Sequence, residues 1–281
     1  MSRRAQRTNL LAFDGEQQPA EHALAFLFLR LLGTKLPGST STSTAWDDVV
    51  TLPDHNLGSV LDDTCRGCEK AWPAMEGFFD GVAFSRCSPS SLRVSLERVE
   101  RVVDSYPSAT CLAEAYQATR SLTTAQWQGA FFTPYSLARM LAQVQEPSPE
   151  EWVVDPACGG GVMLVAALDL ARELHGVTAA LTLIGVELDP RTASIARASL
   201  VLAGAHPDQF WIGTGNALAQ PLVGFDRRSG RLQPLECTLS LANPPFGRAA
   251  SRHARYDGGP PLVVPDRVLY RPVPCRRQEP S

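Results

Sequence analysis

Trp152-Val-Val-Asp-Pro-Ala-Cys-Gly-Gly-Gly-Val162 is a short apolar run, an acidic turn with three glycines, and the first residue of a helical pattern. Consecutive glycines let a backbone turn tightly and approach a ligand without Cβ clashes. The G-x-G-x-x-G spacing of a dinucleotide loop is absent, and Asp155 at the mouth of the turn is poorly suited to a phosphate. A plain strand-to-helix turn is the competing reading. Downstream the alternation repeats. A strand at 152–154 precedes a helix at 162–175 that closes at Gly176, and a strand at 182–188 precedes a helix at 191–203 that closes at Gly204. Gly just past a helix is a C-cap signal. Short strands at 210–212 and 238–242 follow. Strand–helix alternation predicts a parallel sheet with helices on its faces, and such sheets bind ligands at the carboxyl ends of their strands.

Each further chemical signal falls at such an end. Glu187 closes the second strand, where a carboxylate can accept both hydroxyls of a ribose; a surface acid is the plainer reading. Asp189 with Pro190 reads as a helix cap and first turn. Gly213-Thr-Gly-Asn-Ala-Leu218 follows the third strand. There Asn216 can donate to and accept from an adenine edge, or simply close a loop. Asn243-Pro-Pro-Phe246 follows the fourth. Two prolines fix the backbone. An exocyclic adenine amine is a poor nucleophile, because its lone pair is delocalised into the ring. The Asn243 side-chain oxygen and the Pro244 carbonyl can accept its hydrogens and stabilise the charge that develops on alkylation. Phe246 can stack on a base flipped out of a duplex.

These segments, with Gly129-Ala-Phe-Phe-Thr-Pro134 ahead of them, resemble the N6-adenine DNA methyltransferases, and among them the methylation subunits of type I restriction–modification systems. Five motifs stand in the family's order over residues 129–247: F-x-T-P, D-P-A-C-G-x-G, an acid after the second strand, G-N-x-L and N-P-P-F. The resemblance implies an α/β fold, a partial Rossmann-like sheet that uses S-adenosylmethionine, with a helical amino-terminal domain. It implies that Phe132 and Thr133 line the methionine end of the cofactor and that Asp155, Ala157, Gly159, Gly161, Glu187 and Asn216 hold it; Asp155, at the mouth of the turn, can meet its ammonium. It places Asn243, Pro244, Pro245 and Phe246 against the base. Gly160 stands where the family usually has Ser or Thr, and Asn216 replaces a commoner Asp. The family also continues with three more strands, whereas 34 residues follow Gly247 here. The expectation is therefore a truncated or frameshifted sheet with weak or undetectable methyl transfer unaided. The alternatives are a cofactor-binding remnant, a subunit completed by a partner, and a glutamine-amide methyltransferase, whose motif more often ends in Tyr.

The rest of the chain sets the frame. Residues 1–125 read as a small, mostly helical domain, with a buried helix at 21–32, a low-complexity loop at 37–44, and helical spacing at Leu92, Leu96, Val99 and Val103. Residues 126–247 form the methyltransferase domain. Residues 248–281 carry seven Arg and six Pro against three acids, about +4, and read as loop or disorder, or as a basic arm for DNA phosphates. The formal charge of −3 overall then leaves about −7 elsewhere, which is no broad nucleic-acid footprint. Seven scattered cysteines favour free thiols, and the single Cys65-x-x-Cys68 pair lacks the partners a zinc site needs, so no metal is expected. The longest apolar run, residues 23–29, is seven residues, far short of the about 20 a bilayer span requires. The expected setting is cytoplasmic and without a membrane, with DNA as partner and a specificity or restriction subunit as a further one.

Overall fold

The computed structural model describes residues 20–35, 46–105, 110, 112–116, 133–176, 181–244 and 260–269. The amino-terminal part is helical: α1 (Ala20–Lys35), α2 (Trp46–Thr51), α3 (Asp54–Ala71) and α4 (Pro89–Ser105), followed by a helical turn at 112–116. Apolar residues surround α1, and it is buried accordingly, with Leu24, Phe26, Leu27, Phe28 and Leu31 all inaccessible. In contrast, α3 and α4 bury one stripe each, Leu57, Leu61, Cys65 and Cys68 on the first and Leu92, Leu96, Val99 and Val103 on the second. Cys65 and Cys68 are thus core residues, and burial pushes the Cys68 thiol up to about 12. Among the described residues no cluster of metal-ligating side chains occurs. None of the described helices is long and apolar enough to cross a membrane.

The sheet region begins with α5 (Tyr135–Gln145) and continues as β1 (Trp152–Asp155), α6 (Val162–His175), β2 (Thr182–Glu187), α7 (Pro190–Leu202) and β3 (Phe210–Thr214). Then come β4 (Leu222–Asp226), β5 (Arg231–Pro234), β6 (Leu239–Ser240), β7 (Leu262–Val264) and α8 (Asp266–Leu269). The main sheet is parallel, in the order β3-β2-β1-β6. Side chains alternate across it. Val153 and Leu183 face the helices and share one buried cluster with α1, α3 and α4, so the amino-terminal helices and the sheet have a common core. Val154 and Ile184 face the other way, onto Val264, Val268 and Leu269.

The structure departs from the sequence reading in three places. The fourth expected strand, 238–242, narrows to Leu239–Ser240, paired with Val153 and Val154. A hairpin, β4–β5, stands where no element is expected. Its turn is closed by Asp226, which accepts from the Arg228 and Ser229 N–H groups, and by Gly230 at φ +67°. Residues 262–269, expected as loop or disorder, form β7 and α8. β7 pairs in parallel with β4 in a second sheet, β5-β4-β7. That sheet covers the face of the main sheet opposite the helices.

Candidate active site

The strand order runs backwards from β3 to β1 and then jumps to β6. The connections that flank β1 therefore leave in opposite directions, and the carboxyl ends of β1 and β6 are where sheets of this order bind ligands. Asp155 ends β1, Glu187 ends β2, Asn216 follows β3, and Asn243 lies three residues past β6. Residues far apart in sequence thus meet along one rim.

The glycine turn is tied to the second strand. Cys158 N–H donates to the Val186 carbonyl at 3.0 Å, and Gly161 N–H to the Cys158 carbonyl at 2.8 Å. Glu187 receives Gly159 N–H on Oε2 at 3.0 Å and Asp189 N–H on Oε1 at 2.9 Å. Asp155 Oδ1 accepts Ala157 N–H at 3.0 Å. Gly159 and Gly161 are left-handed, at φ +54° and +83°. A Cβ on Gly159 would meet nothing within 4 Å, whereas one on Gly161 would press at 3.2 Å on Ala196 of α7. Gly159 therefore borders open space and Gly161 a tight helix contact. Asp155 is 1% exposed. Burial, with the Glu187 carboxylate beside it, pushes its pKa up to about 7 against the Ala157 hydrogen bond. Burial raises Glu187 as well. Two desolvated carboxylates beside an open glycine turn repel a phosphate and favour a cation. S-adenosylmethionine carries an ammonium and a sulfonium, and it has ribose hydroxyls for Glu187 to accept, so these residues fit it.

Asn216 is engaged by its own loop. Its side-chain oxygen accepts Leu218 N–H at 3.1 Å, and its backbone carbonyl accepts Ala219 and Gln220 N–H. Gln220 closes the loop, accepting Asn216 N–H at 2.8 Å and donating to the Pro260 carbonyl at 3.0 Å. Sequence reasoning passed over Gln220, although an amide four residues past a loop Asn can reach back to it.

The half-buried Asn243 donates from Nδ2 to Thr133 Oγ1 at 3.0 Å, joining two motifs 110 residues apart. Thr133 precedes α5, which is fastened to α6 by Tyr135 Oη donating to Asp169 at 2.8 Å and by the Arg139–Glu173 ion pair. Pro244 is exposed. Phe132, Pro245 and Phe246 lie outside the described residues.

Residues 111–260 match the model of a protein family described as N-6 DNA methylase. The chain belongs to that family. A type I restriction enzyme methylase subunit of Methanocaldococcus jannaschii is 29% identical over 143 residues, covering 49% of this chain and 23% of its own. The type II methyltransferase M.MamI of Microbacterium ammoniaphilum is 35% identical over 133 residues, covering 42% of this chain and 34% of its own. A solved type I methyltransferase subunit from Streptococcus thermophilus shares the fold at TM-score 0.55 and 14% identity, over 86% of this chain and 62% of that one. The chain spans about a quarter to a third of the length of these two curated relatives.

Proposed function

We propose that this region binds S-adenosylmethionine and holds the N6 amine of a DNA adenine for methyl transfer. The observation that carries this is the switch point of the sheet, with Asp155 at the end of one flanking strand and Asn243 just past the other. When bound, the cofactor supplies an electrophilic methyl group on sulfur. Asp155 faces its ammonium, Glu187 accepts its ribose hydroxyls, and the glycine turn admits its backbone-sized approach. The Asn243 side-chain oxygen and the Pro244 carbonyl accept the two amine hydrogens. That arrangement frees the nitrogen lone pair toward the methyl and stabilises the positive charge developing on it. Phe246 stacks on the extrahelical base.

Calorimetric titration with S-adenosylmethionine tests the cofactor half. Glu187→Ala should weaken binding by about 1.5–3 kcal/mol, the usual worth of a hydrogen bond to a charged group. Unchanged affinity in a folded variant would remove Glu187 as the ribose ligand. Transfer of labelled methyl to unmethylated genomic DNA, with glutamine-containing protein as control, tests the acceptor half.

A second reading has a specific observation behind it: transfer needs a further polypeptide segment, such as another subunit of a restriction–modification system. Among the described residues β6 pairs with β1 alone, and α5 exposes Leu137, Met140 and Val144. DNA methylation that starts only when another subunit is added would support this reading.

A further inference from the structure

We propose that Thr133 is a positioning residue that orients the Asn243 amide, turning its nitrogen inward and leaving its oxygen for the methyl acceptor. This rests on the reading of Asn243 as the residue that holds the acceptor amine. Asn243 Nδ2 lies 3.0 Å from Thr133 Oγ1, and both residues are half-buried. An amide has one donor end and one acceptor end. With the nitrogen engaged by the hydroxyl, the end left for a ligand is the carbonyl oxygen. The site then accepts hydrogens, which suits an amine and disfavours a carbonyl or an unprotonated ring nitrogen.

The support behind Thr133 is rigid. Its β-branched side chain has few rotamers, and Pro134 restricts the backbone of the residue before it. The helix that follows, α5, is fastened to α6 by Tyr135–Asp169 and Arg139–Glu173, and α6 itself begins at the glycine turn. The hydroxyl that orients Asn243 therefore stands on the same framework as the cofactor turn. A threonine hydroxyl can accept or donate, so the inward nitrogen is a substantive assignment. The flipped amide is the arrangement it excludes.

The chain contains four asparagines, at 9, 56, 216 and 243. Labelling with 15N-asparagine therefore gives four side-chain NH2 pairs in a heteronuclear spectrum. The pair lost in Asn243→Asp is that of Asn243, and an unmoved pair from Asn216, whose side-chain oxygen is held by Leu218 N–H, reports an intact fold. In Thr133→Val the Asn243 pair should shift, and its slower-exchanging hydrogen should exchange about 2- to 10-fold faster, the factor one net hydrogen bond is worth. Thr133→Ser should keep the pair near its original state. Thr133→Ala serves if the valine variant does not fold. An Asn243 pair whose hydrogens exchange no faster after loss of the hydroxyl would overturn the proposal, since in a flipped amide those hydrogens never engage it.

Kinetics supply the second arm. Thr133→Val should lower the single-turnover methyl-transfer rate on the order of 10²-fold, as misplaced reacting groups do. At saturating S-adenosylmethionine that loss should persist, so that it reads the Asn243 amide and not any contact of Thr133 with the methionine end of the cofactor. A lost cofactor affinity with an unmoved amide pair would overturn the proposal and assign Thr133 to the cofactor. A shifted pair with an undiminished transfer rate would overturn it too. Absence of any transfer by the wild-type chain would count against the proposed activity, while the spectrum still decides the orientation of Asn243.

Discussion

At the scale of single residues, Asp155 is a carboxylic acid almost without water, held by one backbone N–H and facing a second carboxylate. Its pKa of about 7 makes two consequences measurable. The folded chain keeps a proton that the unfolded chain, with an ordinary Asp near 3.9, gives up. Its contribution to stability is therefore complete below about pH 4 and is lost as pH rises toward 7. Asp155→Asn should flatten the pH dependence of the urea midpoint across that window; an unchanged slope would refute the assignment. Binding a cation at Asp155 lowers its pKa, so S-adenosylmethionine should displace a proton at pH 6–7 and hardly any at pH 8. Calorimetry in buffers of different ionisation enthalpy reads that proton directly. Gly160 makes a second case. The family resemblance places Ser or Thr here, but a Cβ at 160 would stand 3.0 Å from the Ala113 Cβ in the helical turn 112–116. Gly160→Ser should cost about 1–3 kcal/mol by overpacking, and Ala113→Gly in the same chain should recover most of it. An additive double variant would show the two residues uncoupled.

At the scale of elements, α7 illustrates how a short signal fixes both structure and site. Asp189 Oδ1 accepts Thr192 N–H at 2.7 Å with Pro190 in the first turn, and Asp189 N–H itself holds Glu187. Asp189→Ala should cost about 1 kcal/mol in a urea titration, the common value of an N-cap. It should leave Glu187 engaged, because the backbone N–H remains. A loss beyond about 3 kcal/mol would mean that Tyr116, bonded to Thr192 at 3.0 Å, relies on the same cap. The cap, the glycine turn and the first three strands were legible because each sits where an apolar run meets residues with one strong local preference. β5 was not. Every residue of Arg231–Pro234 is exposed, so no alternation marks it, and only its partner β4 makes it a strand. β7 was masked by Pro- and Arg-rich surroundings, although Leu262 and Val264 alternate correctly around the exposed Val263. Asn216 read equally well as a ligand or a loop residue. Its oxygen is taken by Leu218 N–H, a choice that local sequence does not encode. The Thr133–Asn243 contact depends on sheet order, which places α5 beside the end of β6, and no spacing along the chain predicts it.

At the scale of the whole molecule, the sheet is covered on both faces and uneven at its margins. α1, α6 and α7 bury one face, and β7 and α8 the other. At the β6 margin, however, the described residues leave one side of the strand unpaired. Close by, α5 presents Leu137, Met140 and Val144 at 40%, 51% and 73% exposure, spaced along one helical face. An open strand edge and an apolar stripe together invite another chain. A separate apolar group, Phe225, Leu232 and Val263, lies on the outer face of the second sheet, so the two surfaces can be distinguished by mutation. The isolated chain should self-associate reversibly in sedimentation-velocity runs, with mean size rising with concentration. Replacing Met140 and Val144 together with Lys should shift the distribution toward monomer. Both side chains are largely exposed, so the unfolding free energy from urea titration should change by less than about 0.5 kcal/mol. Leu232→Lys, on the other surface, should leave association unchanged. If Leu232→Lys alone gave monomer, the second sheet would be the sticky surface, and α5 would be an ordinary exposed helix. If the wild-type chain remained monomeric at every concentration, the unpaired side of β6 would have to be protected by residues outside those described.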